Sequence, residues 1–439
     1  MNAPTRQRRP RILFSSYHSY LDPSSGSTIS LRDLFQLLMA RGWECQAFCG
    51  PQLDYELRKS IPELFHEVGI AYQQRRGSVR EQPFVIYNAI IDQVPVGIYE
   101  TPGFPANQKL TEDQAQIHLS LFERVLQQFQ PDIVLTYGGH QMSIPAMTLA
   151  RKCGAKVIFW LRNTAYNTRS FFREVADCLV PSTFSVNYYK STIDLPCTAI
   201  PSPIDWERVL CPYVQRECLT FVNPTAVKGV YIFAGIVRAL ARIRPNLPLL
   251  VVESRGSARW LEQSGLDLQR LPNLRVMGNT RDPRQFLGRT RALLVPSLWP
   301  ETFGRVTAEA MINGIPVLAS CRGGLPEVVG QGGFLLDIPR KYQPDTREIP
   351  SEAELAPWIE TILRLWDDLS FYVAACLRAR GEAEKWRPEI LGERYDRYFR
   401  RFLSETPTAD PTDLSSDAGH NLPSDAAMPA NNWEDSQTT

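Results

Sequence analysis

The chain has 439 residues, 44% apolar and 22% charged, a globular balance with length for two or three cores, which excludes a wholly disordered chain, collagen and a disulfide miniprotein. Nine cysteines, at 45, 49, 153, 178, 197, 211, 218, 321 and 376, form no C-x-x-C pair, so neither a disulfide framework nor a zinc cage is indicated, and a reducing cytoplasm is the expected setting. The formal charge of +1 is uneven: seven acids and no Lys or Arg follow from Glu405, leaving residues 1–404 with 48 basic and 40 acidic side chains, net +8.

The opening MNAPTRQRRPRILF has basic residues but no separate apolar signal region, and no apolar run reaches the roughly 18 to 20 residues that cross a bilayer. The expectation is a soluble protein kept inside the cell. RILFSSY (11–17) reads as a first strand, followed by the loop HSYLDPSSGST and a helix from Ile29 to Arg41 closed by Gly42. Ser27 or Thr28 is placed to cap that helix. WECQAFCG (43–50) is a strand with Cys45, Ala47 and Cys49 on one face, where packing is the expected role of the cysteines. From Pro51 to Asn107 the pattern is weak, with strands only at PFVIYNAI and PVGIYET.

A helix over about 111–129 leads into the buried-type strand PDIVLTYGG (131–139), a helix over 144–153, and strands at 155–163, 177–182 and 197–205. This completes one doubly wound α/β half. IPSPIDWERVLCP, with three prolines, reads as a connection. A second half follows, with strands at 219–224, 247–254, 273–278, 291–297, 315–320 and in GFLLDIP, and helices at 229–243, 257–264, 282–289 and 305–313. Helices at about 351–366, 368–386 and 388–403 finish the body. Two such halves place a ligand cleft between the carboxyl ends of their strands. The Pro-, Ser-, Asp- and Asn-rich segment 405–439 has too few large apolar groups to order itself and is read as disordered.

The sharpest chemical signal is PSLWPETFGRVTAEAMINGIPVLAS (296–320). Strand, acidic loop, helix and strand follow in order. Free backbone N–H groups around Thr302, Phe303 and Gly304, at the start of a helix near Arg305, suit a phosphate or diphosphate. Glu309, about one turn into the helix, is placed to accept hydrogen bonds from sugar hydroxyls, and Glu301 precedes the turn and reaches a different ring. Taken singly, each glutamate reads rather as an ordinary helix residue. Lys228, before Gly229 at the mouth of a strand-to-helix turn, is placed to act as a point charge on a leaving diphosphate, or else is a solvated surface lysine. No D-x-D occurs and the five histidines do not cluster with acids or cysteines, so no metal site is expected. The basic residues are dispersed and carry no nucleic-acid motif.

ETFGRVTAE is similar to the E-x7-E motif of glycosyltransferase family 4, retaining enzymes of the GT-B fold. VPSLWPE, EAMINGIPVLAS and CRGGLPEVV resemble neighbouring blocks of that family. The likeness is dense over 219–339 and traceable over 11–50 and 131–205. The resemblance implies an α/β GT-B architecture of two Rossmann-like domains: an acceptor-side domain over 1–205, a nucleotide-sugar domain over 206–387, a helix crossing back over 388–404, and the tail 405–439. It implies that Glu309 binds the donor ribose, that Glu301 contacts the transferred sugar, that the amides of Phe303 and Gly304 face sugar and diphosphate, and that Lys228 neutralises the diphosphate.

Many relatives have an arginine at the end of the strand where this chain has Asn223 and Pro224, so Asn223 and Arg305 join Lys228 and Thr302 as donor-side candidates. The family's histidine after the fifth strand is replaced by Arg162 and Asn163. His140, in TYGGHQ, is the nearby histidine, and either orients a substrate or caps the next helix. Gly26 lies where the family has a glycine-rich loop, and is an acceptor-side candidate or simply a turn. Arg162 beside Trp160 is expected at a core edge rather than on a stacking platform.

The resemblance implies a hexosyltransferase-type enzyme, independent of metal, that moves sugar from a nucleotide-diphosphate-sugar to an acceptor hydroxyl on a glycan, lipid or small molecule. The nucleotide-sugar is a substrate, not a cofactor. Two alternatives stand: a GT-B sugar-nucleotide epimerase, and a non-catalytic sugar-nucleotide or glycan-binding subunit. A lipid acceptor would bring the protein to the cytoplasmic membrane face as a peripheral visitor.

Overall fold

The computed structural model describes residues 8–54, 59–79, 81–100 and 111–403. The expectation for 405–439 lies outside the described residues. The first unit is one sheet built from β1 (Arg11–His18), β2 (Glu44–Gln52), β3 (Tyr72–Val79), β4 (Gln82–Ile91), β5 (Val94–Glu100), β6 (Ile133–Thr136), β7 (Lys156–Trp160), β8 (Asp177–Val180) and β9 (Thr198–Ala199). Its order is β3-β4-β5-β2-β1-β6-β7-β8-β9. β3–β4 and β4–β5 are antiparallel, and the remaining neighbours are parallel.

The second unit carries β10 (Cys218–Val222), β11 (Leu249–Val252), β12 (Leu274–Met277), β13 (Thr290–Val295), β14 (Val317–Ser320) and β15 (Phe334–Leu336). All are parallel, in the order β12-β11-β10-β13-β14-β15. Both sheets reverse direction of growth beside their first strand, which opens a crevice at the carboxyl ends of β1 and β6 and of β10 and β13.

Parallel strands buried on both faces explain the continuous apolar runs: Ile12, Leu13 and Phe14 in β1 and Leu249, Leu250 and Val251 in β11 are buried. The helix Val230–Ile243 covers the second sheet with Val230, Ile232, Phe233, Ile236, Val237 and Leu240, each worth about 1.5–3 kcal/mol of burial. The helix Pro388–Arg400 packs on the first unit, where Trp43 Nε1 donates to Asp396 Oδ1 at 2.7 Å and Arg41 Nη2 to the Glu389 carbonyl at 3.0 Å.

Several expectations need correction. The first helix starts at Gly26, three residues before Ile29, because Ser25 is its cap and accepts from Thr28 N at 3.4 Å. The weakly patterned stretch contains a helix, Ile61–Val68, and the strand β3. β9 is two residues long rather than nine, because the prolines at 201 and 203 have no N–H to continue a ladder. The helix Thr183–Ile193, capped by Ser182, was not anticipated.

Candidate functional site

The turn after β13 is shaped by glycines. Gly304 has φ +81°, and a Cβ there would lie 2.6 Å from Leu325 Cδ2. It precedes the helix Arg305–Ile312, whose first turn has no side-chain cap, so no capping side chain covers the amides that open it. Across the crevice, Gly229 has φ +84°, and a Cβ there would sit 2.0 Å from the Pro296 carbonyl oxygen. That contact lets the 3-10 turn Ala226–Lys228 lie against the loop after β13, with Leu298 N and Trp299 N donating to the Val227 carbonyl at 2.9 and 3.1 Å.

Lys228 therefore meets Glu301 directly: Nζ pairs with Oε1, which also accepts from Ser297 Oγ at 3.1 Å. The two side chains are 29% and 14% exposed. Gly324 N donates to the Glu301 carbonyl at 2.5 Å, fixing the loop from its other side.

Arg305 runs into the cleft floor. Its Nε donates to Glu309 Oε1 at 2.7 Å, and its Nη2 to Asp33 Oδ2, in the first unit, at 2.6 Å. Its Nη1 donates to Ser30 Oγ and the Pro203 carbonyl, both at 3.0 Å. The guanidinium is thus engaged by protein rather than pointed at the amides of the turn. Burial raises the pKa of Glu309 and of Asp33, and Arg305 opposes the rise in both. Asn223 adopts φ +63° and its Oδ1 accepts from Gly256 N at 2.8 Å, so its side chain braces backbone.

Thr302 Oγ1 donates to the Arg162 carbonyl of the facing unit at 2.8 Å, so the turn after β13 touches the loop after β7. The Arg162 guanidinium stacks 3.2 Å from the Trp160 ring centroid and donates from Nη1 to Ser202 Oγ at 3.2 Å. Trp160 and the Arg162 guanidinium are buried, in keeping with the expected core edge, and the arginine stacks on the tryptophan inside it. Burial lowers its pKa to about 10. Asn163 is spent locally, its Oδ1 accepting from Ala165 N and its carbonyl from Tyr189 Oη. Gly26 is exposed, and a Cβ there would meet nothing within 4 Å, so no close approach requires it.

His140 lies beside His18, ring centroids 5.0 Å apart, and burial drives its pKa down to about 3. Sequence reasoning missed Asp33, His18, Asp54 and Arg255. Arg255 reaches from the second unit to Asp54 Oδ2 at 3.2 Å, and Arg281 to Glu67 at 2.7 Å. Among the described residues no group of three His, Cys, Asp or Glu side chains could hold a metal ion, and no helix is long and apolar enough to cross a membrane.

Two parallel-rich Rossmann-like sheets facing across this cleft define the GT-B fold, and solved structures of that class are similar over nearly the whole chain. Sucrose-phosphate synthase from Thermosynechococcus elongatus superposes with TM-score 0.62 at 14% identity, covering 90% of this chain and 100% of the other. A glycosyltransferase from Rickettsia africae gives 0.63 at 13%, covering 90% and 99%. Anabaena Alr3699/HepE in complex with UDP-glucose gives 0.61 at 15%, covering 89% and 99%. Residues 218–345, which carry Lys228, Glu301 and Glu309, match the family described as glycosyl transferases group 1. No curated protein matches the chain by sequence.

Proposed function

We propose that this protein is a metal-independent glycosyltransferase that moves a hexosyl group from a nucleotide-diphosphate-sugar to an acceptor hydroxyl, retaining the anomeric configuration and using no resident cofactor. The observation that carries this reading is the Lys228–Glu301 pair set beside an uncapped helix start, with Glu309 in the same helix. The glycosyl transferases group 1 match over that segment supports it, as does the UDP-glucose complex of the HepE neighbour.

In this reading the amides of Phe303 and Gly304 and the Lys228 ammonium receive the diphosphate, and Glu309 accepts hydrogen bonds from the ribose. Lys228 leaves Glu301 for the anion, freeing that carboxylate for hydroxyls of the transferred sugar. As the bond from the anomeric carbon to the diphosphate breaks, the negative charge grows on oxygens held by these amides and the ammonium, so they bind the transition state more tightly than the donor. The acceptor oxygen bonds to the anomeric carbon and its proton passes to the leaving diphosphate. Asn223 and Arg305 act through the backbone and through Glu309 rather than on phosphate. Work in the cytoplasm, with peripheral membrane contact for a lipid acceptor, follows from the same reading.

The test is slow hydrolysis of UDP-, GDP- and ADP-sugars by the purified protein. Release of free sugar from one of them, reduced at least a hundredfold in Lys228→Ala and Glu309→Ala, is expected. Donor binding without hydrolysis or transfer would make the protein a binding subunit, and interconversion of the intact sugar nucleotide would make it an epimerase.

A further inference from the structure

The chain passes between the two units twice, once between β9 and β10 and again between the helices Leu369–Ala383 and Pro388–Arg400. The two passages meet. Trp206, the first residue of the short helix Trp206–Val209, donates from Nε1 to the Trp386 carbonyl at 3.0 Å. The Arg380 and Arg387 guanidiniums, on either side of Trp386 in the chain, lie 4.9 and 5.2 Å from the Trp206 ring centroid. Cations at that distance from an indole attract it. Both tryptophans are buried, so the hydrogen bond between them is closed to water and the two passages form one joint.

The turn after β13 rests on that joint. The buried Phe303 ring meets the Trp386 ring edge to face, with centroids 6.0 Å apart and 76° between the planes. A pair of this geometry attracts beyond the area it buries. Lys385, next to Trp386, donates from Nζ to the Glu327 and Val328 carbonyls at 2.9 and 3.4 Å. The Glu327 carboxylate accepts from Thr183 N at 2.8 Å and from Phe184 N, both in the first unit. The segment 380–387 therefore touches the first passage, the turn before the helix Arg305–Ile312 and, through Glu327, the first unit.

The turn depends on this support. Gly304, at φ +81°, has a backbone freedom that other residues lack, so the direction of the peptide between Phe303 and Gly304 is set by what holds the Phe303 side chain. We propose that Trp386 is a positioning residue for sugar transfer: its ring fixes Phe303, and through it the Phe303 and Gly304 amides, from the joint that connects the two units. The proposal rests on the glycosyl-transfer reading and adds to it a residue that touches no substrate. Preorganised hydrogen-bond donors stabilise growing charge without the cost of turning towards it. Without the Trp386 ring, Lys228 and Glu309 still hold the nucleotide while the amides lose their preorganisation, so turnover falls and donor affinity stays.

The test compares Trp386→Leu, Trp386→Phe, Phe303→Leu and the double variant Phe303→Leu/Trp386→Leu in the full chain. Trp358→Leu controls for the loss of a buried indole, since Trp358 is buried in the helix Glu352–Asp367 with its Nε1 donating to the Asp337 carbonyl. Hydrolysis of UDP-glucose, GDP-mannose and ADP-glucose gives kcat and KM, and calorimetry gives the affinity for the matching nucleoside diphosphate. Trp386→Leu is expected to lower kcat about tenfold, with KM and nucleotide affinity held within about threefold. Trp386→Phe, which keeps an aromatic edge, recovers most of kcat, and Trp358→Leu lowers the melting temperature with kcat kept. Phe303→Leu removes the same ring contact from the other side and gives the same split, which carries the test if Trp386→Leu does not fold. In the double variant the two losses are not additive. With donor binding intact, an unchanged kcat, a loss that Trp386→Phe does not recover, or additive losses overturn this proposal alone. Failure of the parent chain to bind any of the three donors sinks the donor-site reading and this proposal with it.

Discussion

Arg305 and Asp33 meet at 2.6 Å across the cleft, 272 positions apart in the chain, and the same arginine holds Glu309 at 2.7 Å. The glutamate assigned to the donor ribose is therefore braced by a cation that also ties the two units together. Removing one partner of a buried ion pair costs about 3–5 kcal/mol when the other charge is left alone. Here Glu309 still compensates Arg305, so Asp33→Ala is expected to lose about 2–3 kcal/mol in urea unfolding, the loss being held below that of an isolated pair. It also favours opening, read as a larger radius of gyration by small-angle scattering. An unchanged stability and radius would show that the contact ties nothing together.

The turn at Gly229 tolerates no side chain. A Cβ there would stand 2.0 Å from a backbone carbonyl oxygen at a positive φ, and the backbone cannot yield as a flexible side chain would. Gly229→Ala is expected to destabilise by more than about 2 kcal/mol and to displace Lys228 from Glu301. Gly304→Ala shares the positive φ but presses on the Leu325 side chain and stands 3.4 Å from Thr307 Oγ1 rather than against a backbone carbonyl, so its loss of stability is smaller and its loss of sugar-nucleotide hydrolysis larger than its stability predicts. Thermal unfolding and hydrolysis rates on the pair of variants check the contrast.

Burial drives the His118 pKa from 6.5 down to about 3. Between those values the unfolded chain holds a proton that the folded chain does not, so this group's contribution is complete above pH 6.5 and is lost as pH falls towards 3. The slope is about 1.4 kcal/mol per pH unit. His118→Leu should therefore lose about 2 kcal/mol less stability than the parent between pH 7 and pH 5. Equal losses in urea titrations at the two pH values would place His118 in contact with water.

The grouping of Glu301, Gly304, Glu309 and Lys228 was legible in the sequence because it is local: the first three lie within one turn and helix, and Lys228 sits at the mouth of the neighbouring strand. The strands of both sheets were legible as short apolar runs bounded by Gly, Pro or Ser. β3 was not, since YQQRRGSV keeps most of its side chains exposed and shows no alternation. The helix Ile61–Val68 did carry a readable signal, the capping box of Ser60 and Glu63. Asp33, His18, Asp54 and Arg255 gave no such signal. Their meeting is made by strand order and by the approach of the two units, so no spacing in the chain announces it.

The central claim is that the start of the helix Arg305–Ile312 receives a nucleotide diphosphate. The most direct measurement is a crystal structure with whichever of UDP-glucose, GDP-mannose or ADP-glucose binds. The account predicts diphosphate oxygens within about 3 Å of the Phe303 and Gly304 amides, Lys228 turned from Glu301 to the anion, and ribose hydroxyls on Glu309. A nucleotide lodged elsewhere, or no binding by any of the three, would contradict it.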